Sequence, residues 1–298
     1  MHRSGYVAIV GRPNVGKSTL LNTLVGEKIS IVTSRPHTTR HAIVGVLTQP
    51  AGQIVFIDTP GLDAGSGRLI NKAMNKAAVG ALAAADLILV VVEAGTWNPA
   101  DDAALDTASR GVAPCLLVLN KVDRVKPKER LLPMLAEASQ RHDFAAIVPI
   151  SARSSASLQP LVAEILQRLP EQEALYGPAT VTTRDTRFRV AEVLREKLMQ
   201  ALRQEVPYGV GVEVTEIGYD ERGRLCAAAT VWVDRDSHKG IVVGRGGQQL
   251  KQVGQAARME LQQLLDCRVY LESHVKVRKN WSDNADALRD LGYDGQLG

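Results

Sequence analysis

The chain has 298 residues, of which 45% are hydrophobic and 23% are charged, and its net charge at pH 7 is +4. This composition excludes disordered, collagenous and fibrous proteins, and the length predicts two domains. The longest apolar stretch, residues 77–92, is interrupted by Asp86 and is too short to span a bilayer. Because the N-terminus shows neither a signal nor a transit peptide, we expect a cytoplasmic protein.

Short apolar runs alternate with helical patterns along the first part of the chain. Strands that are buried on both faces and separated by helices predict an α/β domain with a mostly parallel sheet over residues 1–170. His41–Leu47 lies one short turn before another run, which predicts an antiparallel edge pair. The predicted strands are Val7–Val10, Ile54–Ile57, Leu87–Val92, Cys115–Leu119 and Ile147–Ile150, and the predicted helices are Lys17–Val25, Leu69–Ala84, Ala100–Arg110, Lys128–Arg141 and Leu158–Leu169.

The pattern changes after Pro170, and residues 171–183 predict a linker. The following residues predict a smaller α+β module over 184–278, and residues 279–298 a C-terminal helix and tail. The predicted elements of the module are a helix Thr186–Glu205, strands Gly211–Ile217 and Leu225–Val233, a glycine-rich loop Lys239–Gly247, a helix Gln248–Leu265 and a strand Arg268–Lys276.

The segment Gly11–Ser18 reads GRPNVGKS and matches the phosphate-binding loop G-x-x-x-x-G-K-S/T between a strand and a helix. Its backbone N–H groups are expected to cradle phosphates, Lys17 to reach the β and γ oxygens, and Ser18 to bind Mg²⁺. Asn14 is suited to coordinate a monovalent cation such as K⁺, or alternatively to shape the loop. The predicted residues here are Gly11, Asn14, Val15, Gly16, Lys17, Ser18 and Thr19.

A second motif, Asp58-Thr-Pro-Gly61, directly follows a predicted strand. Asp58 is expected to hold Mg²⁺ through water, and the Gly61 N–H to meet the γ-phosphate. The polar segment 34–40 predicts a switch in which Thr39, rather than Thr38, closes on Mg²⁺; a plain surface loop is the alternative. Leu62 stands where many GTPases carry a water-orienting glutamine, so we expect slow unaided hydrolysis.

The tetrapeptide Asn120-Lys-Val-Asp123 follows a third predicted strand and predicts a guanine site. The Asp123 carboxylate can accept both N1–H and the 2-amino group, an arrangement that adenine does not offer. Lys121 is expected to pack along the base, and Asn120 to brace the phosphate loop. Ser151 and Ala152 follow a further strand, where a backbone N–H can meet guanine O6. These motifs at strand ends predict a GTP site.

In the second module, Gly244-Arg245-Gly246-Gly247 immediately precedes a helix. The KH fold uses such a G-x-x-G turn to clamp the backbone of four nucleotides. Lys251 and Arg258 are expected to flank the groove, and Asp236 is the only acidic residue between positions 235 and 258. A structural helix entry is the alternative reading of this turn.

Together the two halves resemble the bacterial Era family of GTPases over nearly the whole chain. The resemblance implies a P-loop GTPase domain followed by a type II KH domain with the order α-β-β-α-α-β. It also implies a monomer that binds the 3′ end of small-subunit ribosomal RNA and assists late maturation of the small subunit, with some association with the inner membrane. The motifs that carry the resemblance are Gly11–Ser18, Thr38–Arg40, Asp58–Leu62, Asn120–Asp123, Gly244–Gly247, Lys276–Trp281 and Leu291–Tyr293.

One departure from the family concerns the guanine loop, where Ser155 and Ser157 replace a frequent glycine and asparagine. Two alternative functions also remain open. The first is a GTPase coupled to RNA modification, although residues 180–298 show no nucleophile or metal cluster. The second is a GTP-regulated protein-binding module in which the G-x-x-G turn is structural. In each case we expect Mg²⁺-dependent hydrolysis of GTP to GDP and phosphate.

Overall fold

A computed structural model describes residues 2–61 and 68–293 of the chain. Within these residues, six strands form one sheet and three form another. The first sheet has the order β2-β3-β1-β4-β5-β6, in which only the β2–β3 pair is antiparallel. Its strands are β1 Arg3–Val10, β2 Ile43–Gln49, β3 Gly52–Asp58, β4 Leu87–Glu93, β5 Cys115–Asn120 and β6 Ala146–Pro149.

Helices cover both faces of this sheet because successive strand residues point to opposite sides. Ile9 of β1 packs in one core cluster with Leu20 of α1, whereas Val10 packs in a second cluster with Leu105 of α3. The predicted parallel α/β architecture with its antiparallel edge pair is confirmed. The helices are α1 Lys17–Val25, α2 Leu69–Ala83, α3 Pro99–Ala108, α4 Leu131–Ser139 and α5 Gln159–Arg168.

The fourth helix is shorter than the predicted span Lys128–Arg141. It begins at Leu131 after a 3₁₀ turn over Lys128–Arg130. Pro133 explains this start, because proline is tolerated only in the first turn of a helix, where its missing N–H has no intrahelical acceptor.

The linker residues 171–183 lie against the edge strand β2. The Val46 N–H donates to the Val181 carbonyl at 2.8 Å, and Thr182 Oγ1 donates to the Val44 carbonyl at 2.7 Å. Earlier in the linker, the Tyr176 carbonyl accepts a hydrogen bond from Gln53 Nε2 of β3 at 2.9 Å. These contacts cover a sheet edge that would otherwise expose unpaired backbone groups. The linker is therefore an attached strap of the first domain rather than a loose tether.

The second module packs two long helices on its three-stranded sheet. The strand order is β7-β8-β9, with β7 and β8 antiparallel and β8 and β9 parallel. Val193 of α6 and Val253 of α8 join strand residues such as Val231 in one core cluster. The elements are α6 Thr186–Ala201, β7 Val210–Tyr219, β8 Leu225–Val233, α7 Asp236–Val243, α8 Gln248–Leu265 and β9 Val269–Val277.

Two sequence predictions for this module are wrong in detail. The predicted loop Lys239–Gly247 begins with the last turns of α7, because Val242 is fully buried in the core and this packing overrides its low helix propensity. Only Gly244–Gly247 lies between the helices. The predicted helix Thr186–Glu205 ends at Ala201, where Leu202 turns to extended backbone and buries its side chain.

The residues after β9 return to the first domain. They include a short helix, α9 Ala285–Asp290, in the predicted C-terminal segment. Trp281 and Leu288 share a buried cluster with Ile70 and Met74 of α2, and Tyr293 stacks on His41 with 4.5 Å between ring centroids. The C-terminal segment therefore joins the two domains. Among the helices of the described residues, none is both long and apolar enough to cross a bilayer.

Candidate functional site

A cavity of about 560 Å³ opens at the carboxyl edge of the first sheet. This volume falls in the range of small-molecule sites. The cavity brings together residues from all four predicted nucleotide motifs and from the predicted switch. Its lining includes Asn14, Gly16, Lys17, Ser18, Thr19, Thr38, Thr39, Gly61, Asn120, Lys121, Asp123, Ser151 and Ala152.

The phosphate-binding loop depends on glycine at position 16. Gly16 has φ +107° and precedes the first residue of α1, and a Cβ there would lie 2.4 Å from Asn120 Nδ2. Gly11, at the other end of the loop, has φ +151°, and a Cβ on it would lie 2.3 Å from the Val91 carbonyl. Both positions therefore require glycine. The loop leads directly into α1, whose first N–H groups have no intrahelical acceptor.

Lys17 is held inside the loop by backbone carbonyls. Its ammonium donates to the Gly11 carbonyl at 2.8 Å and to the Arg12 carbonyl at 3.0 Å. Burial lowers the Lys17 pKa to about 8, although the Asp58 carboxylate opposes this shift. Because an ammonium has three donors, one remains for a phosphate oxygen.

Three oxygen-bearing side chains meet beside Lys17. Ser18 Oγ lies 2.8 Å from Thr39 Oγ1 and donates to Asp58 Oδ2 at 2.7 Å. The other oxygen, Asp58 Oδ1, is buried without a hydrogen-bond partner among the described residues. Burial raises the Asp58 pKa, which Lys17 and the hydroxyl donors counteract. Hydroxyl and carboxylate oxygens with an unused buried acceptor fit Mg²⁺, a hard cation.

The two threonines of the predicted switch have different partners. Thr39 faces Ser18, as described above. Thr38 Oγ1 lies 2.6 Å from Thr33 Oγ1 and donates to the Arg35 carbonyl at 2.7 Å. The structure therefore places Thr39, and not Thr38, in the oxygen cluster.

Asn120 joins the phosphate loop to the loops that follow β5 and β6. Its Nδ2 donates to the Val15 carbonyl at 2.7 Å, and its Oδ1 accepts the N–H of Lys121 at 2.7 Å and that of Ala152 at 2.9 Å. Lys121 Nζ donates to the Asn14 carbonyl at 2.7 Å. The Asp123 carboxylate is exposed to the cavity, and a hydrogen bond from Ser151 lowers its pKa, which keeps it ionised.

Ser157 braces the loop in which the chain departs from the family pattern. Its Oγ accepts the Ser151 N–H at 3.1 Å and lies 2.7 Å from the Ser151 carbonyl and 2.8 Å from the Ser154 carbonyl. The serine hydroxyl therefore holds the turn that carries Ser151 and Ala152.

Gly61 and Asn14 border the same cavity from two sides. A Cβ on Gly61 would lie 2.9 Å from Pro13 Cγ, so only glycine packs this closely on the phosphate loop. Asn14 Nδ2 donates to the Ser34 carbonyl at 3.1 Å and links the phosphate loop to the switch. Leu62, the residue predicted to leave hydrolysis slow, lies outside the described residues.

Two site residues lie outside the sequence motifs. Ser30 donates to Asp58 Oδ2 at 3.0 Å, and Gln200 of α6 lines the cavity. Ser30 and Gln200 reach the site only through tertiary packing, so no local spacing could have indicated them.

The second predicted site is the turn between α7 and α8. Gly244, Gly246 and Gly247 have φ of +72°, +56° and +78°. A Cβ on Gly244 would lie 2.6 Å from the Cβ of Gln249, whereas Gly246 and Gly247 face open space within 4 Å. Arg245, Lys251 and Arg258 are exposed, and none of them forms an ion pair with another described residue.

The fold and the cavity define a P-loop nucleotide-binding domain followed by a smaller α+β domain. The family of 50S ribosome-binding GTPases matches residues 6–121, and the KH domain family matches residues 205–282. GTPase Era of Xanthomonas oryzae is 46% identical over 293 residues, which cover 98% of both chains. GTPase Era of Stenotrophomonas maltophilia is 45% identical over 294 residues, again 98% of both. The chain belongs to the Era family of GTPases.

Solved structures match the arrangement of both domains together. A variant of Aquifex aeolicus Era bound to GDP.AlF4- is 38% identical, with a TM-score of 0.94 over 98% of this chain and 99% of that one. An Era in complex with MgGDPNP and nucleotides 1506–1542 of 16S ribosomal RNA is 39% identical, with the same TM-score and coverage. The predicted GTPase fold and the KH fold are confirmed, and the protein is a GTPase.

Proposed function

We propose that this GTPase is a GTP-switched RNA-binding factor that binds the 3′ end of small-subunit ribosomal RNA and assists late maturation of that subunit. The observation that carries the proposal is the full-length match to an Era bound to both MgGDPNP and 16S ribosomal RNA. The family matched by residues 6–121 is named for the 50S subunit, but that match leaves out the KH domain. The match that includes both domains is the stronger guide to the RNA.

For the nucleotide, we assign the phosphates to the N–H groups of residues 14–19 and to Lys17, with Gly61 beside the γ-phosphate. Ser18 and Thr39 would hold Mg²⁺ directly, and Asp58 through water. The unused Oδ1 of Asp58 and the hydroxyls around it support this assignment. When bound, the ion neutralises the charge that develops on the β- and γ-phosphate oxygens.

For the base, we assign guanine selection to Asp123, with Lys121, Ser151 and Ala152 around the ring. The ionised Asp123 carboxylate at the cavity wall supports this role. Asn14 is our candidate ligand for K⁺. Because its amide nitrogen donates to the Ser34 carbonyl, its amide oxygen is the atom available for a cation. Without a glutamine at position 62, unaided hydrolysis is slow.

For the RNA, we assign backbone contacts to the Gly244–Gly247 turn, with Arg245, Lys251 and Arg258 along the adjoining groove. The open space beside Gly246 and Gly247 and the exposed cations support this role. Residues 1–170 form the nucleotide unit, 184–278 the RNA unit, 171–183 their connection, and 279–298 the C-terminal segment. From the family resemblance, we further propose a cytoplasmic monomer with weak peripheral affinity for the inner membrane.

Replacement of one glycine in the turn tests the RNA assignment. We expect Gly246→Asp to weaken binding of a labelled RNA that carries the 3′-terminal small-subunit sequence by at least about tenfold, because a carboxylate there repels the phosphate. Affinity is measured by filter binding in the presence of a GTP analogue. GTP affinity should not change.

Gly223→Asp is the matched control. Gly223 has φ +68° in the turn between β7 and β8, and it also faces open space within 4 Å. This variant carries the same charge and also places a side chain at positive φ, and it should bind RNA like the parent protein. Equal RNA affinities of the Gly246→Asp and parent proteins would return the turn to a structural role and favour the protein-binding alternative.

A further inference from the structure

The KH domain forms hydrogen bonds with backbone and side-chain groups of the predicted switch and its flanks, residues 28–41. The Val32 N–H donates to Glu196 Oε1 at 2.9 Å, and the Arg35 guanidinium donates to the Leu202 carbonyl. At the far end, Arg40 Nη1 donates to the Val210 carbonyl at 2.8 Å. These contacts run between the first domain and the elements α6 and β7.

The contact nearest to the nucleotide site is made by Arg195 of α6. Its Nη2 donates to the Thr38 carbonyl at 2.5 Å. The same guanidinium makes a bidentate pair with Glu192, with both N–O distances at 2.7 Å. The Arg195 side chain is 1% exposed and Glu192 is 5% exposed as a residue, so the geometry of the fork is fixed by packing.

The Thr38 carbonyl and the Thr39 nitrogen belong to one peptide unit, which is planar and rigid. A donor that fixes the Thr38 oxygen therefore fixes the plane from which the Thr39 side chain projects. Thr39 Oγ1 lies in the oxygen cluster with Ser18 and Asp58. Gln200, five residues beyond Arg195 on α6, borders the same cavity, so this helix forms part of the wall around the nucleotide site.

We propose that Arg195 is a positioning residue of the nucleotide site: it holds the Thr38–Thr39 peptide so that Thr39 is presented to the Mg²⁺ of a bound GTP complex. The proposal rests on the assignment of Thr39 under the proposed function. It makes the KH domain part of the apparatus that distinguishes GTP from GDP, since Thr39 acts only when the γ-phosphate is present.

The test is the double variant Glu192→Leu/Arg195→Met. Removing Arg195 alone would leave Glu192 buried and unpaired, whereas replacing a buried pair by apolar groups of similar size preserves folding. We expect dissociation of a fluorescent, non-hydrolysable GTP analogue to become about tenfold faster, as for the loss of one charge-assisted hydrogen bond. Dissociation of fluorescent GDP should change less than about twofold, and half-maximal binding of the analogue should require more Mg²⁺.

Arg189→Met is the matched control on the same helix. Arg189 reaches Glu27 of the first domain at 3.8 Å, a contact remote from the Thr38–Thr39 peptide. This variant should leave both dissociation rates unchanged. Equal acceleration for the two nucleotides in the double variant, or no acceleration, would overturn the proposal.

A Thr39→Ala variant separates failure of the proposal from failure of the site assignment. If Thr39→Ala selectively weakens the GTP analogue and the double variant does not, the role of Arg195 is refuted while the Mg²⁺ assignment stands. If Thr39→Ala has the same effect on both nucleotides, the assignment of Thr39 and the role of Arg195 fall together.

Discussion

Lys17 shows how burial alone prepares a side chain for a phosphate. The ammonium is surrounded by protein, and this burial lowers its pKa to about 8. The ordinary value is 10.5, so between these values the unfolded chain holds more protons than the folded one, and folded stability rises with pH. A phosphate beside the ammonium favours the charged form and reverses the shift.

We therefore expect nucleotide binding near pH 8 to be accompanied by proton uptake, because part of the free protein carries a neutral Lys17. By the same linkage, nucleotide affinity should fall as the pH rises above 8. Calorimetric titration in two buffers with different ionisation enthalpies measures the uptake. At pH 7 more of the lysine is already protonated and the uptake should be smaller; identical uptake at both pH values would refute the shift.

At the same scale, motif residues and their partners differ in how far a sequence can predict them. Lys17, Ser18 and Asp123 fall within short patterns whose chemistry is tied to fixed spacing, and the cavity contains all of them. Ser30 and Arg195 form hydrogen bonds with Asp58 and Thr38, residues that are far from them in the sequence. A serine or an arginine has no distinguishing spacing at such positions, so only the folded structure identifies them.

Among the elements, the loop before α1 is the one whose shape depends most on a single residue. Asn120 lies beside Gly16 and connects the phosphate loop with the loops that follow β5 and β6. A side chain at position 16 would displace this amide and would also require an unfavourable backbone angle.

We expect Gly16→Ala to lower affinity for GDP and GTP by about 100-fold, since the strain and the lost hydrogen bonds together amount to about 3 kcal/mol. Gly26→Ala is the control at the other end of α1, where φ is +79° and nothing lies within 4 Å. That variant should lose about 1 kcal/mol of stability and keep its nucleotide affinity. Titration with fluorescent nucleotides compares the two, and similar affinities would contradict the role of Gly16.

At the boundaries of helices and strands, sequence patterns predict the structure less well. The strands of the first sheet are predictable because continuous β-branched runs between helices fit few other structures. Helix α7 is difficult to predict from the sequence because Gly240 and the run Ile241–Val243 have low intrinsic helix propensity. Its formation is decided by the burial of Val242 against the module's core, and this is a tertiary effect.

For the whole molecule, the contacts between domains predict coupling between the two ligands. Lys28 donates to Glu196 of α6 at 2.6 Å and also to Glu260 of α8, the helix that follows the G-x-x-G turn. A change in residues 28–41 on loss of the γ-phosphate would therefore disturb the elements that carry the RNA site. Because the linker is attached to β2, these contacts rather than its length set how the domains sit.

RNA affinity should consequently be higher with a non-hydrolysable GTP analogue than with GDP. A coupling of about 1–3 kcal/mol corresponds to about 5–150-fold, and RNA must raise the affinity for the analogue relative to GDP by the same factor. RNA titrations in each nucleotide state and nucleotide titrations with and without RNA close the cycle. RNA affinities that do not depend on the nucleotide would mean that the domains are merely joined.

The stacking of Tyr293 on His41 also has a consequence during translation, because Tyr293 is synthesised long after His41. Domains fold as units from the N-terminus during translation, so the phosphate loop and residues 28–41 exist about 13–50 s before the C-terminal segment has been synthesised. The nascent GTPase domain lacks Arg195 and Glu196 for the first part of that interval and Tyr293 for all of it, so partners that contact residues 28–41 are missing. A partly translated chain would thus engage GTP less firmly than the finished protein, which delays switching until the RNA-binding half is present.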